Sequence, residues 1–280
     1  MAPEAETSEQ QEENETSREA EERAAPAGAV VYKAILSEGE DELQRSTSAL
    51  FWSGLAAGLS MGFSLITEGL LRHHLPEAPW ELLVSKFGYS IGFLIVVLGR
   101  QQLFTENTLT PILPLLTHRT ADVLMNVARL WGVVFIANMI GTMLVAQVLA
   151  HTSVLEPAAR ETLVNIGREA LNHPFGTTLW RAIFAGWLIA LMVWLLPFAE
   201  AARFFVIIVI TYVIGIGHFS HVIAGSIDVF LVAATGNAGY FHVIWHFIVP
   251  ALIGNIIGGV MLVAAINHAQ VVAGKKGKDA

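Results

Sequence analysis

The 280-residue sequence contains no cysteine, which excludes disulfides and metal sites built on thiolates. Charge is scarce over most of its length. The net charge of -8 misleads, because residues 1–47 hold 13 acids and 4 bases while residues 48–280 hold 11 and 12. The acidity therefore belongs to a tail, and the body is close to neutral. No basic surface of the kind that binds nucleic acid is visible. Residues 1–28 have almost no large apolar side chain, so they cannot bury enough surface to fold. A disordered, solvated tail is expected there, without the positive start and apolar run of a signal peptide. Val30 to Leu36 reads as the start of a short amphipathic lead-in, so that residues 1–45 precede the membrane.

What the body has instead is apolar length. Hydrophobic residues make up 54% of the chain and the mean hydropathy is +0.57, which points to a polytopic membrane protein. The expected spans occupy residues 46–268. The first runs from Ser46 to Thr67 and contains Gly54-Leu55-Ala56-Ala57-Gly58, a spacing of small residues that lets helices approach closely. The second, from Phe87 to Leu116, is interrupted by the polar stretch Gly99 to Pro111. Neither apolar piece reaches the ~20 residues that span a bilayer alone. The third span lies within Leu130 to Leu155, and a polar connection from Glu156 to Pro174 follows. The fourth runs from Thr178 to Leu196. The fifth starts at Phe204, meets Gly217-His218-Phe219-Ser220-His221, and becomes apolar again from Val229. The sixth runs from Val243 to Ala265, and a basic tail, residues 269–280, closes the chain.

Six spans divide into three and three. Ala137-Asn138-Met139-Ile140-Gly141 matches Gly254-Asn255-Ile256-Ile257-Gly258, 117 positions later. Ala57-Gly58 precedes Ala185-Gly186 by 128 positions, and Trp52 and Trp180 keep the same offset. Each half interrupts its middle span. Three being odd, the second copy crosses the membrane in the opposite sense. The fold class predicted is an all-α membrane protein: a 3+3 inverted repeat with two broken helices, aquaporin-like, whose site forms where the breaks meet. Irregular backbone at membrane depth is tolerated only inside protein or beside a wet cavity. With the termini inside, seven basic residues near the spans face in and five face out, so a plasma (inner) membrane protein with cytoplasmic termini is expected.

His221 lies where the second break approaches the first, and its ring can change charge near neutral pH. Ionisable residues at membrane depth are costly and point to function. Thr105 and Thr108 offer hydroxyls beside helix ends that favour negative charge. Leu103 and Phe104 are apolar on an otherwise polar loop, which suits a constriction. Arg100, Glu106 and Asp228 are the charges nearest the breaks; mutual pairing is expected, with Arg100 as an anion attractor the sharper idea. His242 and His246, four apart on one helix face, are better suited to packing than to ligating a metal.

These residues together resemble the formate/nitrite transporter family over residues 48–268. Leu103-Phe104-Thr105 with Leu109-Thr110 is similar to the family's loop after the first half of the second helix. Phe219-Ser220-His221-Val222-Ile223-Ala224 resembles its fifth-helix break, and Ile253-Gly254-Asn255-Ile256-Ile257-Gly258-Gly259 its sixth-helix signature. The resemblance implies a homopentamer in the lipid bilayer, each protomer with its own pore for small monovalent anions such as formate or nitrite, and neither enzyme activity nor a cofactor. It makes His221 the central histidine and Thr105 its partner, with Leu103 and Phe104 in one apolar slit. Tyr89 and Phe93 stand at slit positions on the second helix, Ile214 at one on the fifth, and Asn255 along the pathway. Ser220, Gly225 and Gly186 replace a Glu and two Asn common in the family, and the lysine that some members carry before the fourth span is absent. A neutral-solute or water pore is the alternative, although no Asn-Pro-Ala motif is present. A haem- or metal-binding redox protein using His218, His221, His242 and His246 is a third reading.

Overall fold

The computed structural model describes residues 28–276, with side chains as far as Ala273. The expected disorder of residues 1–27 falls outside the described residues. All regular elements among the described residues are helices. Helix α1, Gly28–Gln44, is the lead-in, and it is longer than the short piece expected from Val30 to Leu36. Its buried residues Val31, Tyr32, Ile35, Gly39 and Leu43 recur at three- and four-residue steps, which is the period of one helix face. Tyr32 hydroxyl bonds Thr117 Oγ1 at 2.9 Å and His268 Nδ1 at 2.6 Å, tying both ends of the chain to the body.

Helix α2, Thr47–His74, is capped by Ser46, whose hydroxyl accepts from Ala49 N–H. It continues seven residues past the expected end at Thr67, so Glu68 lies within it. Helix α3, Glu81–Ser85, leads into α4, Tyr89–Leu98, and Glu81–Leu98 is long and apolar enough to cross a membrane. After Gly99–Pro111 comes α5, Ile112–His118, then a left-handed Arg119 (φ 53°), and α6, Ala121–His151. The polar connection from Glu156 to Pro174 holds α7, Pro157–Leu171, with Pro157 in the first turn, where its missing N–H costs nothing.

Helix α8, Phe175–Leu195, is followed by α9, Arg203–Ile216, and α10, Val222–Ala234. The helix therefore resumes at Val222, directly after His221, not at Val229. The last rod comprises α11 (Tyr240–Val243), a π stretch (Ile244–Ile248), α12 (Val249–Ile256), a second π stretch (Ile257–Ala265) and α13 (Ile266–Lys276). The first π stretch stands just before Pro250, whose ring and missing N–H disrupt regular α bonding. The helix runs on past the boundary expected at residue 268.

Glycines set the packing distance. A Cβ on Gly58 would collide with the backbone of Asn138 on α6, and one on Gly186 with the backbone of Asn255 on α12. The outer surface is apolar and aromatic, with Trp52, Trp180, Phe205 and Phe241 at least 65% exposed. Among the described residues, five helices are long and apolar enough to cross a membrane, and α10 is a shorter apolar helix.

Arg129 of α6 donates to Leu43 O (2.8 Å) and Arg45 O (3.0 Å), neutralising the carbonyl end of α1. Glu42 of α1 accepts from Gln102 Nε2 at 2.8 Å. Burial raises the Glu42 carboxyl above its ordinary value of 4.5, opposed by Arg45. A docked carboxyl with a raised value contributes fully below 4.5 and loses its contribution as pH rises through the shifted value. Protease protection of α1 should therefore weaken as the medium goes from acid toward neutral. Glu42→Gln keeps an acceptor for Gln102 and should flatten that response; an unchanged pH response in the variant would exclude Glu42 as its source.

Candidate functional site

The two polar interruptions have the same backbone plan. After α4, Gly99 N–H bonds Ile95 O, Arg100 takes a left-handed conformation (φ 49°), and Gln101 N–H returns to Val96 O. After α9, Gly217 N–H bonds Val213 O, His218 is left-handed (φ 49°), and Phe219 N–H returns to Ile214 O. Left-handed non-glycine residues cost about 1–2 kcal/mol, so surrounding contacts must hold both in place.

Two asparagines supply those contacts. Asn138 Nδ2 donates to Gln102 O (2.9 Å) and Gly54 O (2.7 Å), and its Oδ1 accepts from Phe104 N–H (2.9 Å). Asn255 Nδ2 donates to Ser220 O (2.9 Å) and Ala182 O (2.8 Å), and its Oδ1 accepts from Val222 N–H (2.8 Å). Each amide thus satisfies backbone groups that the interruption leaves without helical partners. Asn255 is fully buried with its amide engaged on backbone, so it positions the site rather than lining an open path.

The interruptions meet at His221 and Thr105. His221 caps α10: its Nδ1 accepts from Ala224 N–H at 3.1 Å. A ring nitrogen that accepts carries no hydrogen, so the hydrogen is on Nε2 and is donated to Thr105 Oγ1, 2.7 Å away. Both side chains are essentially inaccessible, His221 1% and Thr105 0% exposed. The Phe93 ring stands edge-on to the imidazole at 4.9 Å, and Tyr89 packs on Phe93 at 5.3 Å. Leu103 is also fully buried.

Two cavities border the interruptions. One of about 350 Å³ reaches His221, with Tyr89, Ile214, Ser220 and Asp228 in its wall. The other, about 660 Å³, is walled by Arg100, Gln102 and Glu106 and by Glu38, Asp41 and Glu42 of α1. Phe93, Leu103, Phe104 and Thr105 line neither cavity.

Several sequence expectations change. Phe104 turns toward α6, edge-on to Phe135 at 5.1 Å and to Trp131 at 5.8 Å, so it backs the loop rather than facing Leu103 across a slit. Arg100, Glu106 and Asp228 do not pair with one another. The Arg100 side chain is 75% exposed, 3.9 Å from Glu38, and Asp228 lies in the other cavity. His242 and His246 stack on each other at 4.0 Å in the last rod, and no group of three or more His, Asp or Glu among the described residues is arranged to hold a metal. Gly225 packs against the Phe247 ring, which a Cβ would strike, so the polar side chain common in the family has no room. The sequence reading missed the buried ion pair of Lys86 and Glu68. An acid directly after twenty-two uncharged residues was its signal.

An all-helical body with helices apolar enough to cross a membrane, and two interruptions that meet at a buried hydroxyl–imidazole contact, fits a membrane transport protein. The model of the family described as Formate/nitrite transporter matches residues 29–269. The chain belongs to the formate/nitrite transporter family. Inner membrane protein YfdC of Escherichia coli (strain K12) is 38% identical over 251 residues, covering 90% of this chain and 81% of that protein. Formate channel BtFdhC of Bacillus thuringiensis is 28% identical over 240 residues, covering 82% and 89%. The solved structure of a pentameric formate channel with formate bound shares the fold at a TM-score of 0.66 and 19% identity, covering 81% of this chain and 98% of that one.

Asn138→Ala and Asn255→Ala each leave one backbone N–H and one loop carbonyl without a partner, while Gly54 O and Ala182 O keep their helical bonds. At about 1–3 kcal/mol for each buried group left unsatisfied, each variant should lose several kcal/mol of stability. Thermal unfolding of the purified protein in detergent measures this. A variant that unfolds at the wild-type temperature would show that the clamp is dispensable.

Proposed function

We propose that the protein is a homopentameric channel for small monovalent weak-acid anions of the formate or nitrite type, with one pore in each protomer. The path joins the two cavities across Thr105 and His221. That contact, polar and buried among Phe93 and Leu103, is the observation that carries the reading. An anion stripped of water there costs several kcal/mol unless it finds donors. The Nε2–H of His221 and the hydroxyl of Thr105 are such donors. A proton joining the anion at the histidine removes the charge altogether, so flux is proton-linked.

The body is read as two inverted copies of three spans, each with a broken middle helix. The repeated asparagine clamp supports this, as does the left-handed residue that opens both interruptions. Both termini are assigned to the cytoplasm of an inner-membrane protein, in line with the charge bias of the loops. The pentamer rests on family membership and on the likeness to the pentameric formate channel; the exposed aromatic surface is open to lipid and neighbouring protomers.

The test is flux into proteoliposomes across formate, nitrite, acetate, lactate, hydrosulfide and chloride. Wild-type flux of a weak-acid anion should rise as pH falls. His221→Phe removes the donor and should abolish the proton-dependent component while leaving the oligomer intact, as read by native mass measurement. Transport by His221→Phe with the wild-type pH profile would exclude the histidine from the mechanism.

A further inference from the structure

One ammonium and two carboxyls share the smaller cavity. Lys86 and Glu68 are paired there, with side chains 10% and 3% exposed, and Asp228 stands in the same wall. Asp228 makes no salt bridge among the described residues. The other titratable groups facing the cavity come from every neighbouring element. They are Tyr89 of α4, Glu169 at the end of α7, His173 after it, Arg181 of α8, and His218 and His221 of the second interruption. Glu169 is already paired with Arg72 at 2.7 Å. No cation among the described residues is thus bonded to Asp228. An ionised carboxylate without a bonded cation is expensive at membrane depth.

The position of Asp228 is as telling as its charge. It follows His221 by seven residues on α10, about two turns or ~10 Å along the axis, on the same face. Gly225 lies between them, with the Phe247 ring packed over it, so the two groups reach each other through the cavity that both line and not along the helix surface. His221, Gly225 and Asp228 all line the cavity. His221 itself is held as the neutral Nε2–H tautomer, with Nδ1 accepting from Ala224 N–H. Protonating Nδ1 would break that cap and put a positive charge at a helix N-terminus.

We propose that Asp228 is the proton-exchange residue of the transport path. This rests on the weak-acid reading above and moves the proton transfer from His221 to Asp228, leaving His221 as the neutral donor that the acid passes. The anion enters the cavity, the O–H bond of the Asp228 carboxyl breaks, and the same proton forms an O–H bond on the anion. The negative charge passes from the anion to Asp228. Lys86 has three N–H donors and uses one on Glu68, so it can turn a second toward the new carboxylate. The neutral acid then crosses at Thr105 and His221, and a proton from the medium, carried by cavity water as hydronium, restores the Asp228 O–H bond.

Two measurements on the full-length protein test this. In infrared spectra at neutral pH, the carbonyl stretch of a protonated carboxylic acid should be present in wild type and diminished in Asp228→Asn; an undiminished band overturns the proposal, whatever the substrate. In proteoliposomes, acid-stimulated formate uptake should fall by at least about tenfold in Asp228→Asn, the scale of a lost proton-transfer group, and return in Asp228→Glu. Asp228→Asn with the wild-type pH profile overturns the proposal while leaving the channel reading in place. Wild-type protein that moves none of the six anions overturns the channel reading, and with it Asp228 as a transport residue. Equal loss in Asp228→Asn and Asp228→Glu, with both oligomers intact, overturns the proton role in favour of packing.

Discussion

Backbone polar groups at membrane depth cannot be left to water, and the rest of this structure depends on how that constraint is met. Helices α4 and α9 stop at Leu98 and Ile216, so their final carbonyls and the first N–H groups of the next pieces need partners. Asn138 and Asn255 meet the need with the same three bonds each, two donated and one accepted. Because each amide also reaches a carbonyl on another helix, Gly54 or Ala182, the interruption is fixed to the frame and not only to itself. The precision of the Thr105–His221 contact follows from these anchors.

Small residues are what bring the anchors within reach. Gly58 and Gly186 let α2 and α8 lie directly on the backbone that carries each asparagine. The same crowding accounts for two departures from the family's usual residues. Any side chain at 186 would enter the Asn255 backbone, and at 225 the Phe247 ring takes the space. At these two positions close packing takes the place of a polar side chain. Charge in the smaller cavity comes from Lys86, Glu68 and Asp228, among others, which lie on three separate elements.

Both cavities carry carboxyls, which is unfavourable for an anion unless the charges are paired or protonated. In the smaller cavity the Lys86–Glu68 pair cancels one carboxylate. In the larger one Glu38 and Glu42 stand near Arg100, Arg45 and Gln102. The lead-in helix therefore supplies wall charge to the larger cavity as well as apolar contacts to the body.

Much of this was legible in the sequence. Uncharged apolar runs announced the spans, because crossing a bilayer demands length and hydrophobicity in consecutive residues. Polar stretches inside apolar segments marked the interruptions, and the matched Asn-Gly patterns pointed to two related halves. His221 and Thr105 could be singled out because polar groups at membrane depth need a reason. Other features depended on the third dimension. The helix at Pro157–Leu171 is amphipathic and short, with no apolar run to betray it. Phe104 reads as pore-facing from its neighbours, yet its direction is set by Trp131 and Phe135 on another helix. Arg100, Glu106 and Asp228 are close to the interruptions in sequence, but the chain carries them to opposite sides of the constriction. The sequence by itself determined which segments are apolar enough to cross a membrane and which polar stretches interrupt them, since those follow from local composition. Only the tertiary structure decided which charges meet, because ion pairs such as Lys86–Glu68 are made by helix packing and not by spacing along the chain.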